Sequence, residues 1–173
     1  MALTIHVTIG AILGRYIPNP LLAFLVGFIS HFLTDMIPHG DSAVYKRYKC
    51  GVNKKRSQAL VLIDSALAIT VTLLILNLGN FESLHAASFA IAGSVMPDII
   101  IGLHILLEPK WLTKHQWLVS GPLIRGWLEA FHRFHFFMHD FIVERWRDWR
   151  YQWHGTIFQG AVLGLIVWLA KWK

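Results

Sequence analysis

The stretch His31-Phe32-Leu33-Thr34-Asp35-Met36-Ile37-Pro38-His39-Gly40-Asp41 sets four metal-binding side chains close together. His31 and Asp35 are four residues apart, which puts them on one face of a helix. Pro38 ends or kinks that helix, and His39 and Asp41 follow at once. Mixed imidazole and carboxylate sets suit zinc first, with manganese or iron as alternatives. A site that keeps a position open for water is the usual catalytic form. In the simpler alternative, these groups cap a helix end beside lipid headgroups, and that account suits Asp41 taken alone.

A second constellation is Phe131-His132-Arg133-Phe134-His135-Phe136-Phe137-Met138-His139-Asp140. His132, His135 and His139 fall on one helical face, and Leu128, Ile142 and Trp146 extend the stripe. Such a face meets protein or membrane. Either it is an amphipathic interfacial helix whose histidines touch lipid phosphate, or it covers the mouth of a metal site and completes it. Four further groups stand in apolar surroundings: His6, Asp64, Asp98 and His104. His115 and His154 read as loop histidines and His85 lies on the outer side, so none of the three takes a role.

These groups belong to a chain of 173 residues that is 55% hydrophobic and 15% charged, with a mean hydropathy of +0.48. Soluble domains carry roughly 25% charged residues. The shortfall excludes disorder, a coiled coil and most soluble folds. One cysteine, Cys50, excludes an internal disulfide and a cysteine-built zinc knuckle. The expected fold is an all-α integral membrane protein of about five short transmembrane or re-entrant helices, a single polytopic domain over 1–173. The candidate spans are Leu3–Ile17, Leu21–Ile37, Ala59–Leu78, Leu84–Leu107 and Thr156–Ala170. The first is short, lacks a basic leader and cleavage site, and is expected to belong to the mature fold. Pro18-Asn19-Pro20 turns it back into the second as a helical hairpin.

Residues 42–58 carry Lys46, Arg47, Lys49, Lys54, Lys55 and Arg56 and no acid. By the positive-inside rule this loop is cytoplasmic. The basic 108–155 insert falls on the same side and includes an amphipathic helix. Its Trp146, Trp149 and Trp153 read as headgroup anchors. The expected location is therefore the inner (cytoplasmic) membrane, multi-pass, with basic loops inside. Topology accounts for the net charge of +6, so no nucleic-acid partner is expected.

Ionisable groups near a bilayer centre cost about 2.5–3.5 kcal/mol each, so His6, His31, Asp35, Asp64, Asp98 and His104 together would cost on the order of 10 kcal/mol in lipid. Each other, water or a bound cation must compensate them. With the 42–58 loop inside, all of them lie away from the outer third of the bilayer. Separate segments thus bring their acids and histidines to one layer.

The residues SHFLTDMIPHGD and MPDII, with His6 near the start and a later HRFH, resemble the bacterial membrane-bound metal-dependent hydrolase family. The likeness is carried chiefly by the first 41 residues. It implies a bound metal and hydrolysis. The metal ligands expected are His6, His31, Asp35, His39, Asp98, His132, His135 and His139. A carboxylate outside the ligand set, Asp64 or Asp41, would take the proton from water. Lys46, Arg47, Arg133 and Arg145 would hold a phosphate. A site at headgroup depth favours a membrane lipid or lipid-linked substrate, and a homo-oligomer is compatible with it. The competing classes are an ion- or proton-translocating subunit, a structural membrane subunit with a buried His/Asp cluster, and a haem module using His31 and His104. Carboxylates make poor haem ligands, which counts against the last. No G-x-S-x-G, P-loop or H-E-x-x-H occurs.

Overall fold

The computed structural model describes residues 2–37, 54–107 and 122–143, with Ile157, Gly160, Ala161 and Gly164, all four helical and exposed. Among the described residues every regular element is an α-helix. The helices are α1 (Leu3–Tyr16), α2 (Pro20–Asp35), α3 (Lys54–Leu78), α4 (Leu84–Leu107) and α5 (Pro122–Val143). His39, Asp41, Lys46, Arg47, Arg145 and nearly all of the expected span Thr156–Ala170 lie outside the described residues, as do the side chains of His104 and Asp140.

The α1–α2 hairpin forms as the sequence expects. Pro20 occupies the first turn of α2, where its missing N–H costs nothing. Asn19 caps that turn, its side-chain oxygen accepting from the Leu22 N–H at 3.0 Å. Ser83 caps α4 similarly, accepting from the Ala86 N–H at 3.2 Å.

Among the described residues two helices are long and apolar enough to cross a membrane, with the candidate spans running over Lys55–Leu78 and Leu84–Leu103. They are used differently. α3 lies at the edge and turns Leu60, Val61, Leu62, Ile63, Leu67 and Leu73 outward. Only a narrow strip of it, around Ala68, joins Val7, Ala11 and Ile91 in an apolar cluster. α4 is the central helix, packed along both α1 and α2.

Close contact with α4 comes from small residues at four-residue spacing. α1 carries His6, Gly10 and Gly14. α2 carries Ala23, Gly27, His31 and Asp35. α4 carries Ala86, Ala90, Ser94 and Asp98. A Cβ on Gly10 would come within 2.6 Å of the Ser94 hydroxyl, and one on Gly14 within 2.5 Å of the Ala87 Cα. One on Gly27 would strike the Ala90 carbonyl, and one on Gly93 the Phe24 carbonyl. Helices that lack large side chains along one ridge bring their backbones together, the device by which helices associate where water supplies no driving force. The ridges of α2 and α4 run from small residues to ionisable ones, and that of α1 runs the other way, from His6 to Gly14. The tight crossing therefore delivers His6, His31, Asp35 and Asp98 to one place.

Candidate metal centre

His31 and Asp35 occupy the last turns of α2, Asp98 the second half of α4, and His135 the middle of α5. One ligand atom from each of the four lies within 4.8 Å of every other. His31 Nε2 is 3.1 Å from Asp35 Oδ2 and 3.7 Å from Asp98 Oδ1. His135 Nε2 is 3.6 Å from Asp35 Oδ2 and 3.8 Å from Asp98 Oδ1. Atoms bound at about 2.0–2.1 Å to one tetrahedral ion stand about 3.3 Å apart. The observed spacings bracket that value.

The hydrogen bonds orient His31 for ligation. Its Nδ1 donates to the Ser94 carbonyl at 2.8 Å, an oxygen that can only accept. Donation from the far nitrogen to a carbonyl is the usual outer support of a metal-bound imidazole. It leaves Nε2 directed at two carboxylates, and Nε2 makes no hydrogen bond of its own among the described residues. Buried acceptors facing one another need a proton or a bound cation between them. The donor set and its spacing fit a divalent ion.

Pro97 precedes Asp98 inside α4 and is fully buried. It withholds the N–H that the Gly93 carbonyl would otherwise receive, so α4 continues through this point with one ladder bond missing where it meets the cluster. Burial lowers the His135 imidazole to about 3, so it stands neutral with its lone pair available. His31, Asp35 and His135 side chains are 0%, 2% and 5% exposed, while Asp98 keeps 27%. The cluster thus opens to its surroundings on the Asp98 side.

His6 is buried against the same group, its Nε2 lying 3.1 Å from Asp35 Oδ1. His139 is also buried, one turn beyond His135, with ring centroids 6.4 Å apart. His132 is half-buried and lies against Phe136, centroids 4.7 Å apart. The three histidines of α5 share a side of the helix, and His135 is the one whose nitrogen enters the four-residue group. Arg133, two residues from His135 and so on the far side of α5, is exposed.

Asp64 stands apart from this group, at the N-terminus of α1. Its oxygens accept from the Leu3 N–H at 2.7 Å, the Thr4 N–H at 3.4 Å and the Thr4 hydroxyl at 2.8 Å. A carboxylate there satisfies donors left over at the helix start and complements the helix dipole.

Beside the centre lies a groove that sequence reasoning did not anticipate. Phe28, Ile29, Phe32, Leu33, Phe134 and Met138 line a volume of about 280 Å³ between α2 and α5. Phe32 separates it from the cluster, edge-on to His31 at 5.4 Å and to His135 at 5.9 Å between centroids. The available sign was the aromatic run of 131–137 together with Phe28 and Phe32 at i, i+4. The comparisons find no matching family model, curated protein or solved structure.

Proposed function

We propose that this chain is a multi-pass protein of the cytoplasmic membrane that hydrolyses a phosphate or other ester of an amphiphilic substrate at the inner headgroup layer, using a divalent metal, with zinc the first choice. The convergence of His31 Nε2, Asp35 Oδ2, Asp98 Oδ1 and His135 Nε2 from three helices carries this reading. The family resemblance of the first 41 residues points the same way. The outward apolar face of α3 suits lipid contact, and the remaining short helices would complete about five spans.

A divalent ion held by these residues would supply Lewis-acid polarisation of the ester and a water acidified toward neutrality. The protein's own residues do the rest. Asp98 presents the accessible edge of the site, where a headgroup can approach. The apolar groove beyond Phe32 takes one hydrocarbon chain of the substrate and so fixes the headgroup over the centre. Lys46, Arg47 and Arg145 are the proposed phosphate contacts and Asp41 the proposed proton acceptor, since Asp64 is engaged at the start of α1.

The test is hydrolysis of chromogenic phosphate and carboxylate esters in detergent micelles, by the metal-loaded and the chelator-stripped protein. Activity that needs the metal and is lost in Asp98→Asn supports the assignment. Activity that survives chelation refutes the metal's part in the reaction, and no activity with any ester while the metal stays bound refutes hydrolysis.

A further inference from the structure

We propose that the centre is dinuclear, with His6 as the terminal ligand of a second divalent cation bridged to the first by Asp35 and Asp98. This rests on the metal reading above and extends it to a residue outside the four-ligand group.

Both carboxylates face two ways. Asp35 turns Oδ2 toward His31 and His135 at 3.1 and 3.6 Å, and Oδ1 toward His6 at 3.1 Å. Asp98 repeats the division, with Oδ1 at 3.7 and 3.8 Å from His31 and His135 and Oδ2 at 4.0 Å from His6. One oxygen of each acid thus serves one side, and the other oxygen serves the other. A carboxylate shared between two ions has this arrangement.

The imidazole rings separate one ion from two. Two imidazoles on a single tetrahedral ion hold their centroids about 5 Å apart and converge on it. His31 and His135 meet that description, at 5.3 Å and tilted by 42°. His6 and His31 do not. Their rings are stacked at 4.1 Å and only 25° from parallel, so their Nε2 atoms reach the carboxylates side by side. Side-by-side imidazoles place two ions at a separation close to the roughly 3.5–4 Å of two-metal hydrolytic sites.

The other nitrogen of His6 is supported as a ligand's should be. Nδ1 lies 3.1 Å from the Thr34 hydroxyl, and that hydroxyl is 2.9 Å from the carbonyls of Ser30 and His31 in its own helix. With the threonine proton sent to a carbonyl, Nδ1–H donates to Thr34 and the Nε2 lone pair faces the acids.

The experiment loads the full chain in detergent with Mn²⁺, removes the excess by gel filtration, and reads metal per chain together with the electron paramagnetic resonance spectrum. The expected result is two ions per chain and a spin-coupled spectrum, reduced in His6→Gln to one ion with the mononuclear hyperfine pattern. A single uncoupled ion in the wild-type protein, unchanged in His6→Gln, overturns the second site and leaves the mononuclear centre standing. No retained ion overturns both. The wild-type spectrum decides the matter even if the variant fails to fold.

Discussion

His31 donates its Nδ1–H to the carbonyl of Ser94, 63 residues away on the neighbouring helix, at 2.8 Å. The bond does two things at once. It fixes the tautomer and plane of the imidazole, and it ties α2 to α4 one turn before Asp35 and Asp98. Structure and chemistry meet in that contact, because the ridge that carries the helix crossing also carries the candidate ligands.

His135 is the sole ligand of the four-residue group supplied by α5, so its removal tests the centre with least disturbance to the α1–α2–α4 unit. His135→Ala should lower metal affinity by at least about 100-fold, given that even outer supports of metal ligands are worth 10–100-fold. Competition against a fluorescent chelator measures this. Affinity equal to wild type would remove His135 from the centre.

The crossing of α2 and α4 depends on Gly27, whose added Cβ would strike the Ala90 carbonyl. Gly27→Ala should destabilise the fold by about 1–3 kcal/mol, the usual range for overpacking, and weaken metal binding with it. Gly102, with nothing within 4 Å of a built Cβ, is the control. There alanine should be neutral or stabilise by up to about 1 kcal/mol. Thermal unfolding in detergent compares the two, and equal behaviour would contradict the seam.

Asp64 accepts three bonds at the start of α1. Asp64→Ala should therefore lower stability by about 0.5–2 kcal/mol, the range for loss of a helix cap. Bound metal and turnover per folded molecule should hardly change. Loss of turnover at unchanged stability would instead make Asp64 a participant in catalysis.

The groove predicts selectivity by chain length. Met138→Glu places a charge among Phe28, Phe32 and Phe134. It should raise KM for a long-chain ester and leave a short, water-soluble ester nearly unaffected. Equal effects on both would dissociate the groove from substrate binding.

Much of the site was legible because burying charge is costly. His31 and Asp35 stood out by their spacing, and Asp98 and His6 by their apolar surroundings. The stripe over 132–139 contained His135, but spacing alone could not say which of three histidines turns inward. That depends on how α5 sits against α2 and α4. The two apolar helices α3 and α4 were plain from length and hydropathy. Their different use was not, since an apolar helix exposed at the edge and one buried among other helices read alike in sequence. The ridges of Gly10 and Gly14, Ala23 and Gly27, and Ala86, Ala90 and Ser94 were present in the sequence. Their meaning needed the three helices to be seen together. Asp64 shows the limit most clearly. A carboxylate in an apolar run looks the same whether it awaits a proton or holds donors 60 and 61 residues away.

The central claim is that His31, Asp35, Asp98 and His135 bind a divalent ion together. X-ray absorption at the zinc edge of zinc-loaded, desalted protein tests it most directly. The expected spectrum has nitrogen and oxygen neighbours at about 2.0–2.1 Å, with the outer-shell scattering of imidazole, weakened in His31→Ala and in His135→Ala. Zinc lost on desalting, or held without any imidazole contribution, would contradict it.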